Sequence, residues 1–216
     1  MAECKKILTV DEEQNIDILT QHSVEIDTVK ESTLMRQIIS ELKKTIKENN
    51  LTALSAPAIG YNKRIFCVDF KDSEIKTFIN PILVQMKGLG LSRECCQSIP
   101  GKSFIRPRNT DVTIMYQRPL GQIETRQVAG LAAYVLQHEI DHLDGMLLSD
   151  VSLEVDEDFD NASDDEKNDI INMYLDSLDL QKKNIDEAIE SDPESKKLSD
   201  GIKFMEGVAR GEIEVT

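Results

Sequence analysis

Two histidines four residues apart carry the clearest prediction of chemistry in this chain. His138 and His142 stand in the pattern His-Glu-x-x-His, with Glu139 between them. If this run is helical, both imidazoles lie on one face and can bind one metal ion, with Glu139 beside it as a candidate general base. The alternative interpretation is an amphipathic helix whose polar face carries histidines by chance, because so short a motif often occurs without a metal.

The apolar sequence before the motif favours the metal interpretation. Residues 130–136, Gly-Leu-Ala-Ala-Tyr-Val-Leu, suit the buried start of a helix. A third ligand can come from one of the four cysteines, which are Cys4, Cys67, Cys95 and Cys96. Adjacent cysteines rarely pair with each other, so we expect four free thiols in a reducing compartment.

Charge divides the chain into two parts. The net charge is -15, and residues 151–216 hold 20 of the 40 acidic residues but only 7 of the 25 basic ones. We therefore predict a nearly neutral domain at 1–150 and an acidic extension at 151–216. No basic patch is available for phosphates, which argues against direct nucleic-acid binding. The extension is interpreted either as a solvated surface or as a binding site for a protein partner.

Composition also bounds the location of the protein. Hydrophobic residues make up 40% of the chain, as in an ordinary globular domain. No apolar run reaches the roughly 20 residues of a membrane span, and no apolar segment of a secretory signal follows Met1. We therefore expect a cytoplasmic protein without membrane association. Nothing in the sequence predicts its oligomeric state.

Hydrophobic periodicity predicts an α+β fold. Residues 29–49 repeat apolar side chains at every fourth position and predict a helix, whereas residues 51–60 are interpreted as a loop. Strand patterns recur at 64–70, 76–80, 82–86, 111–116 and 122–128, with a break at Pro81 and a hairpin between the last two. The predicted arrangement is antiparallel sheets around a central metal-binding helix. In the extension, an acidic loop at 154–166 precedes amphipathic helices that begin at 169.

Three motifs in the first domain resemble the peptide deformylase family. The family carries Gly-x-Gly-Leu-Ala-Ala-Pro-Gln, then Glu-Gly-Cys-Leu-Ser, then Gln-His-Glu-x-Asp-His-Leu. The third motif is intact at 137–143. The second appears as Glu-Cys-Cys-Gln-Ser at 94–98, and the first as Leu-Thr-Ala-Leu-Ser-Ala-Pro-Ala at 51–58. The resemblance covers residues 5–150 and leaves out the acidic extension.

The resemblance implies a metal site and a reaction. It makes Cys96, His138 and His142 the ligands of one divalent metal ion, and it favours Fe²⁺, with Zn²⁺ or Ni²⁺ as alternatives. The implied reaction is hydrolysis of the formyl group of an N-formylmethionyl peptide or nascent chain, with Glu139 transferring the proton of the attacking water to the leaving amine. Cys95 stands where the family has Gly and is interpreted as a packed thiol.

The resemblance also assigns the substrate cleft, where this chain departs from the family pattern. Ala58 replaces a Gln whose side chain donates a hydrogen bond to the oxyanion. The backbone N–H of Gln97 stands where the family has its second donor, and the Gln97 side-chain amide is a candidate replacement for the missing one. Leu51 and Ala53 replace two glycines beside the substrate backbone. The resemblance assigns the methionine pocket to Leu131, Tyr134 and Val135. It also assigns Arg108 as a cation that faces the substrate.

Three functions are consistent with these residues. The first is a peptide deformylase that is slow or altered in specificity, and the second is a metalloamidase for another acyl amide. The third is a catalytically degenerate deformylase fold that serves as a structural or binding protein. The intact ligands and Glu139 favour the first two functions, which are enzymes, whereas the lost Gln and glycines favour the second and third functions.

Overall fold

The computed structural model describes residues 3–71, 74–174 and 176, and the chain divides into two units, Met1–Asp156 and Glu157–Thr216. The named helices are α1 (Ile16–Thr20), α2 (Ser32–Glu48), α3 (Leu131–Leu143), α4 (Leu148–Val151) and α5 (Glu157–Asn161). The strands are β1 (Ala53–Ser55), β2 (Ile65–Val68), β3 (Lys76–Lys87), β4 (Gly90–Cys96), β5 (Ile99–Arg108), β6 (Asp111–Gln117), β7 (Ile123–Ala129) and β8 (Leu153–Val155). Among the described residues, no helix combines the length and apolarity needed to cross a membrane.

The strands of the first unit form two antiparallel sheets. The five-stranded sheet has the order β1-β2-β3-β6-β7, and the three-stranded sheet has the order β4-β5-β8. The β6–β7 pair is the hairpin predicted from the sequence, with Asp111 opposite Ala129 and Gln117 opposite Ile123. The predicted α+β class with antiparallel sheets is confirmed.

Helices cover both faces of the five-stranded sheet, and β2 shows why. All four of its residues are buried, and the alternation of a strand sends Ile65 and Cys67 to one face and Phe66 and Val68 to the other. The first pair joins a core with the apolar stripe of α2, formed by Met35, Ile38, Leu42 and Ile46. The second pair joins a core with Ala133, Leu136, Ile140 and Leu143 of α3. A central strand is therefore apolar on both sides.

The carboxyl end of α3 is anchored by polar contacts and by a close backbone approach. Arg64 donates to the Asp144 carboxylate at 2.7 Å and to the Leu143 carbonyl at 3.3 Å. Gly145 has a φ of +74°, and a Cβ there would come within 2.3 Å of the Thr20 carbonyl oxygen. Only glycine fits this position, so the chain leaves α3 in a fixed direction.

Two predictions about strand boundaries are wrong. Residues 51–60 are not simply a loop, because they contain β1 and a short 3₁₀ turn, Pro57–Ile59. Pro81 does not end a strand, since β3 continues through it. The register shifts between Ile79 and Ile82, so the missing N–H of the proline falls in a bulge.

The boundary between the two units lies after Asp156, six residues beyond the position predicted from the sequence. Strand β8 pairs with β5, so the first unit extends to Asp156. The prediction of an acidic loop at 154–166 is also wrong, because α5 occupies part of it and residues 164–174 are helical. Ser163 and Glu166 form a capping box, in which the Glu166 carboxylate accepts from the Ser163 N–H at 2.9 Å. The helices predicted beyond residue 176 lie outside the described residues.

Candidate active site

Helix α3 and strand β4 bring one sulfur and two nitrogens together. His138 and His142 lie one turn apart on α3, and their Nε2 atoms are 3.2 Å apart. The Cys96 Sγ lies 3.2 Å from the His142 Nε2. The three ligand atoms all lie within 4.8 Å of one another. The four-residue spacing of the histidines on α3 and the inward-facing last position of β4 therefore place the three ligand atoms around one point.

This cluster fits a divalent transition metal. Two imidazole nitrogens bound tetrahedrally to one Zn²⁺ at about 2.0–2.1 Å lie about 3.3 Å apart, close to the separation of the two histidine nitrogens. One thiolate and two imidazoles suit zinc, iron or nickel and leave a coordination position for water. The His142 Nδ1, on the other side of the ring from the Nε2 that faces the cluster, is buried without a hydrogen-bond partner among the described residues.

A buried network of charges orients the first histidine. The Glu94 carboxylate accepts from the His138 Nδ1 at 2.8 Å and from the Arg108 guanidinium through two contacts of 2.7 Å. Arg108 also donates to Asp141 at 2.6 Å, and Arg106 donates to the same carboxylate at 2.6 Å. Because Nδ1 is held by Glu94, the His138 Nε2 is left facing the cluster.

The same contacts shift the pKa values of the buried groups. Burial opposes ionisation of Glu94, but the Arg108 and His138 contacts outweigh it and lower the pKa to about 2. Burial also opposes the thiolate of Cys96, but the neighbouring His142 and His138 lower its pKa. For His138, burial disfavours the imidazolium, and hydrogen bonds to Cys96 and Glu94 raise the pKa. The thiolate needed for metal binding is therefore stabilised by its surroundings.

Glu139 lies on the cleft side of α3 and is almost completely buried. Its residue is 4% exposed, and its Oε2 has no hydrogen-bond partner among the described residues. Burial raises the pKa of this carboxyl, and the nearby His138 and His142 oppose that effect. A buried carboxyl with a raised pKa is suited to accepting a proton and then giving it up.

A cleft of about 320 Å³ opens onto the cluster. Every residue that the sequence assigned to the site borders this cleft, with the exception of Arg108. The assigned residues that border it are Leu51, Ala53, Ala58, Cys96, Gln97, Leu131, Tyr134, Val135, His138, Glu139 and His142. The bulky Tyr134 fits this wall because residue 90 is a glycine. A Cβ at Gly90 would come within 2.3 Å of the Tyr134 hydroxyl oxygen. The replacements in the first motif therefore lie at the cleft itself.

Two predictions about cleft residues are wrong. Arg108 does not face the substrate cleft, because it is 3% exposed and its guanidinium is bound by Glu94 and Asp141. Cys95 is not a packed thiol, because strand alternation turns it outward from Cys96. It is exposed at the edge of the cleft, with its Sγ 3.3 Å from the Ser103 hydroxyl.

Sequence reasoning missed the residues that support the cluster. Glu94 lies two positions before Cys96, and the period of two in β4 puts both side chains on the buried face. Asp141 lies three positions after His138 on α3, which puts the two on neighbouring positions of one face. These periodicities identify both residues as neighbours of the ligands. The basic partner Arg108 comes from β5, and no local spacing predicts that pairing.

Comparison with known proteins identifies the family. The model of the polypeptide deformylase family matches residues 4–157. The peptide deformylase of Dictyoglomus thermophilum is 34% identical over 137 residues, which are 63% of this chain and 88% of that protein. The peptide deformylase of Acetivibrio thermocellus is 32% identical over 147 residues, which are 68% of this chain and 85% of that protein.

Solved structures show the same fold. The peptide deformylase of Thermotoga maritima has a TM-score of 0.63 and 24% identity, covering 69% of this chain and 97% of its own. The Synechococcus elongatus enzyme, solved with actinonin, has a TM-score of 0.62 and 26% identity, covering 70% and 81%. Family members are metal-dependent hydrolases that remove the formyl group from N-formylmethionyl peptides. With its matching motifs, sheets and Cys-His-His cluster, this chain belongs to the polypeptide deformylase family.

Proposed function

We propose that this chain is itself a working deformylase and that its own residues divide the reaction as follows. The observation that carries the proposal is the convergence of Cys96, His138 and His142 beside Glu139 in one cleft. A chain that served only as a scaffold would not need a buried carboxyl next to two buried ligands and one partly buried ligand, since such polar groups are costly to bury. This arrangement of the three ligands and Glu139 therefore favours catalysis over a structural role.

Glu139 is the proton-transfer group in this proposal. A divalent cation held by Cys96, His138 and His142 would act as a Lewis acid toward water and the formyl oxygen. Glu139 accepts the proton of the attacking water as the water adds to the formyl carbon. It then returns that proton to the amine nitrogen as the C–N bond breaks. The products are formate and a peptide with a free amino terminus.

The oxyanion is stabilised from the turn between β4 and β5. Ala58 borders the cleft but has no side-chain donor. Gln97 lies directly after Cys96, is exposed, and also borders the cleft. We assign the backbone N–H of Gln97 as one donor and its side-chain amide as the replacement for the missing one. Losing an oxyanion donor typically costs a hundred- to a thousandfold in rate, so a replacement donor has a large effect.

The substrate is an N-formylmethionyl peptide whose methionine side chain enters the apolar part of the cleft. Leu131, Tyr134 and Val135 form this wall, on the turns of α3 that precede the first ligand. A neighbouring structure, the Acinetobacter baumannii peptide deformylase, was solved with Met-Ala-Ser bound. Ala53 replaces a glycine of the related motif at the cleft, which narrows the path for the peptide backbone.

The identity of the metal and the place of action are part of the same proposal. One thiolate with two imidazoles accepts Fe²⁺, Zn²⁺ or Ni²⁺, and we propose Fe²⁺. We propose that the protein acts in the cytoplasm on nascent chains. The acidic extension has no role in the chemistry of this proposal.

The test is an anaerobic assay of iron-loaded protein on formyl-Met-Ala-Ser, with formate as the readout. Glu139→Gln keeps the size of the side chain and removes the base, and we expect it to lower kcat by about a hundred- to ten-thousandfold. Glu124→Gln is the matched control and should leave turnover unchanged, because the Glu124 side chain on β7 is 42% exposed and does not border the cleft. Full activity of Glu139→Gln contradicts the assignment. Absence of turnover in the wild type, with metal bound, contradicts the function and favours another acyl amide or a binding role.

The role of Gln97 has its own test. Gln97→Leu removes the side-chain amide and leaves the backbone N–H in place. We expect kcat to fall by about a hundredfold with little change in KM, because the donor acts on the transition state. If kcat is unchanged in Gln97→Leu, the side-chain amide does not stabilise the oxyanion, and the backbone N–H is the only donor from this turn.

A further inference from the structure

Ser55 lies on the face of the five-stranded sheet that packs against α3. In β1, Ala53 and Ser55 share one face and Leu54 lies on the other, where it joins the core under α2. Ser55 is completely buried and also borders the cleft wall. The strand thus presents a hydroxyl to the helix that carries Glu139.

Two buried oxygen atoms in this part of the cleft lack hydrogen-bond partners among the described residues. They are the Ser55 Oγ and the Glu139 Oε2. Buried polar atoms in native proteins are nearly always paired, so two such atoms bordering one small cleft call for a common explanation. Strand β1 contacts α3 directly, so the Ser55 Oγ and the Glu139 Oε2 border the same cleft from two elements that pack against each other.

We propose that Ser55 is a positioning residue for Glu139, with its hydroxyl donating a hydrogen bond to the Oε2 carboxylate oxygen in the working enzyme. Serine is a suitable donor because its hydroxyl rotates freely and reaches the carboxylate without moving the strand. The other carboxylate oxygen remains available for the reacting water. Since proton transfer requires the carboxylate within hydrogen-bond reach of that water, fixing one oxygen improves the position of the other.

This inference rests on the proposed function for its effect on rate, but the contact itself does not. Ser55→Ala removes one oxygen atom, and Ser55→Thr keeps the hydroxyl. We expect Ser55→Ala to lower kcat by about tenfold while KM stays within about twofold, and Ser55→Thr to recover most of the loss. Ser23→Ala is the matched control, because Ser23 is another buried serine whose hydroxyl has no partner among the described residues.

The contact is tested by thermal unfolding of the full-length protein, without any assay of activity. Ser55→Ala should lower the unfolding midpoint in the wild-type background but not in the Glu139→Ala background, because the shared bond is already absent there. Equal shifts in both backgrounds, or full kcat in Ser55→Ala, overturn the proposal. If the wild type shows no deformylase turnover, the proposed function fails, and the unfolding comparison still decides whether Ser55 and Glu139 interact.

Discussion

The two walls of the cleft are built in opposite ways. On the wall of α3 and β4, a network of paired charges holds the first ligand: Glu94 contacts His138 and Arg108, and Arg108 contacts Asp141. On the wall of β1 and the following 3₁₀ turn, the side chains are small, and the Ser55 hydroxyl has no partner among the described residues. The departures from the family motif at Leu51, Ala53 and Ala58 lie on this second wall.

The difference separates holding a metal from handling a substrate. Ligand geometry depends on a network of buried charges that tolerates little change, since breaking one partner leaves another charge unpaired. The second wall contacts a substrate whose position depends on shape and on a few donors, so changes there adjust rate and specificity. The predictions below compare matched changes on the two walls, beginning with the largest expected effect.

Removing a ligand should abolish metal binding. We expect His142→Ala to weaken metal affinity by more than about a hundredfold, beyond the loss that outer partners of a ligand produce, and to abolish turnover. Metal content after dialysis, measured by mass spectrometry, checks this. His22→Ala is the control, because His22 is the exposed histidine outside the motif. Retention of metal by His142→Ala would remove His142 from the ligand set.

Removing Arg108 should destabilise the fold. Glu94 and Asp141 would both lose their buried partner, and we expect the free energy of unfolding to fall by about 3–5 kcal/mol. Arg118→Ala breaks an exposed pair with Glu124 and should cost at most about 1 kcal/mol. Denaturant unfolding measures both. If Arg108→Ala lowers the free energy of unfolding no more than Arg118→Ala does, paired charges do not hold the wall of α3 and β4 in place.

Removing the negative charge that holds His138 should have a smaller effect on the metal. Glu94→Gln keeps the size of the side chain but weakens the contacts to the His138 Nδ1 and to Arg108. We expect metal affinity to fall by about 10- to 100-fold, as is typical for a partner of a ligating histidine. Competition with a chelator measures this directly, with Glu124→Gln as the exposed control. An unchanged affinity means that the helix alone orients the ring.

Restoring a donor on the second wall should raise the rate modestly. Ala58→Gln introduces the amide that the related motif carries, and we expect kcat to rise by about tenfold, less than an optimised oxyanion donor contributes. Ala58→Met has similar size and no donor, so it separates hydrogen bonding from a change in cleft volume. Equal kcat values for the two variants would show that this wall acts through shape alone.

Local spacing was sufficient to predict the helix that carries the ligands. The four-residue separation of His138 and His142 matches one helical turn, and the period of two in β4 explains why Cys96 faces inward. The break predicted at Pro81 was wrong because a bulge absorbs the missing N–H within β3. A bulge depends on the register with β6, which is a long-range property.

Short-range periodicity and composition determined the two histidine ligands, the acid beside them, the alternation of the strands and the charge difference between the two parts of the chain. The resemblance to the deformylase motifs, which is also a property of the sequence, singled out Cys96 among the four cysteines. Only the tertiary structure decided that Arg108 is a buried partner of Glu94 and not a substrate contact, and that Ser55 and Glu139 present unpaired oxygens at one cleft. The reason is physical. Hydrogen bonds and ion pairs between distant segments depend on how the two sheets pack around α3, and no local sequence pattern encodes the distances between those segments.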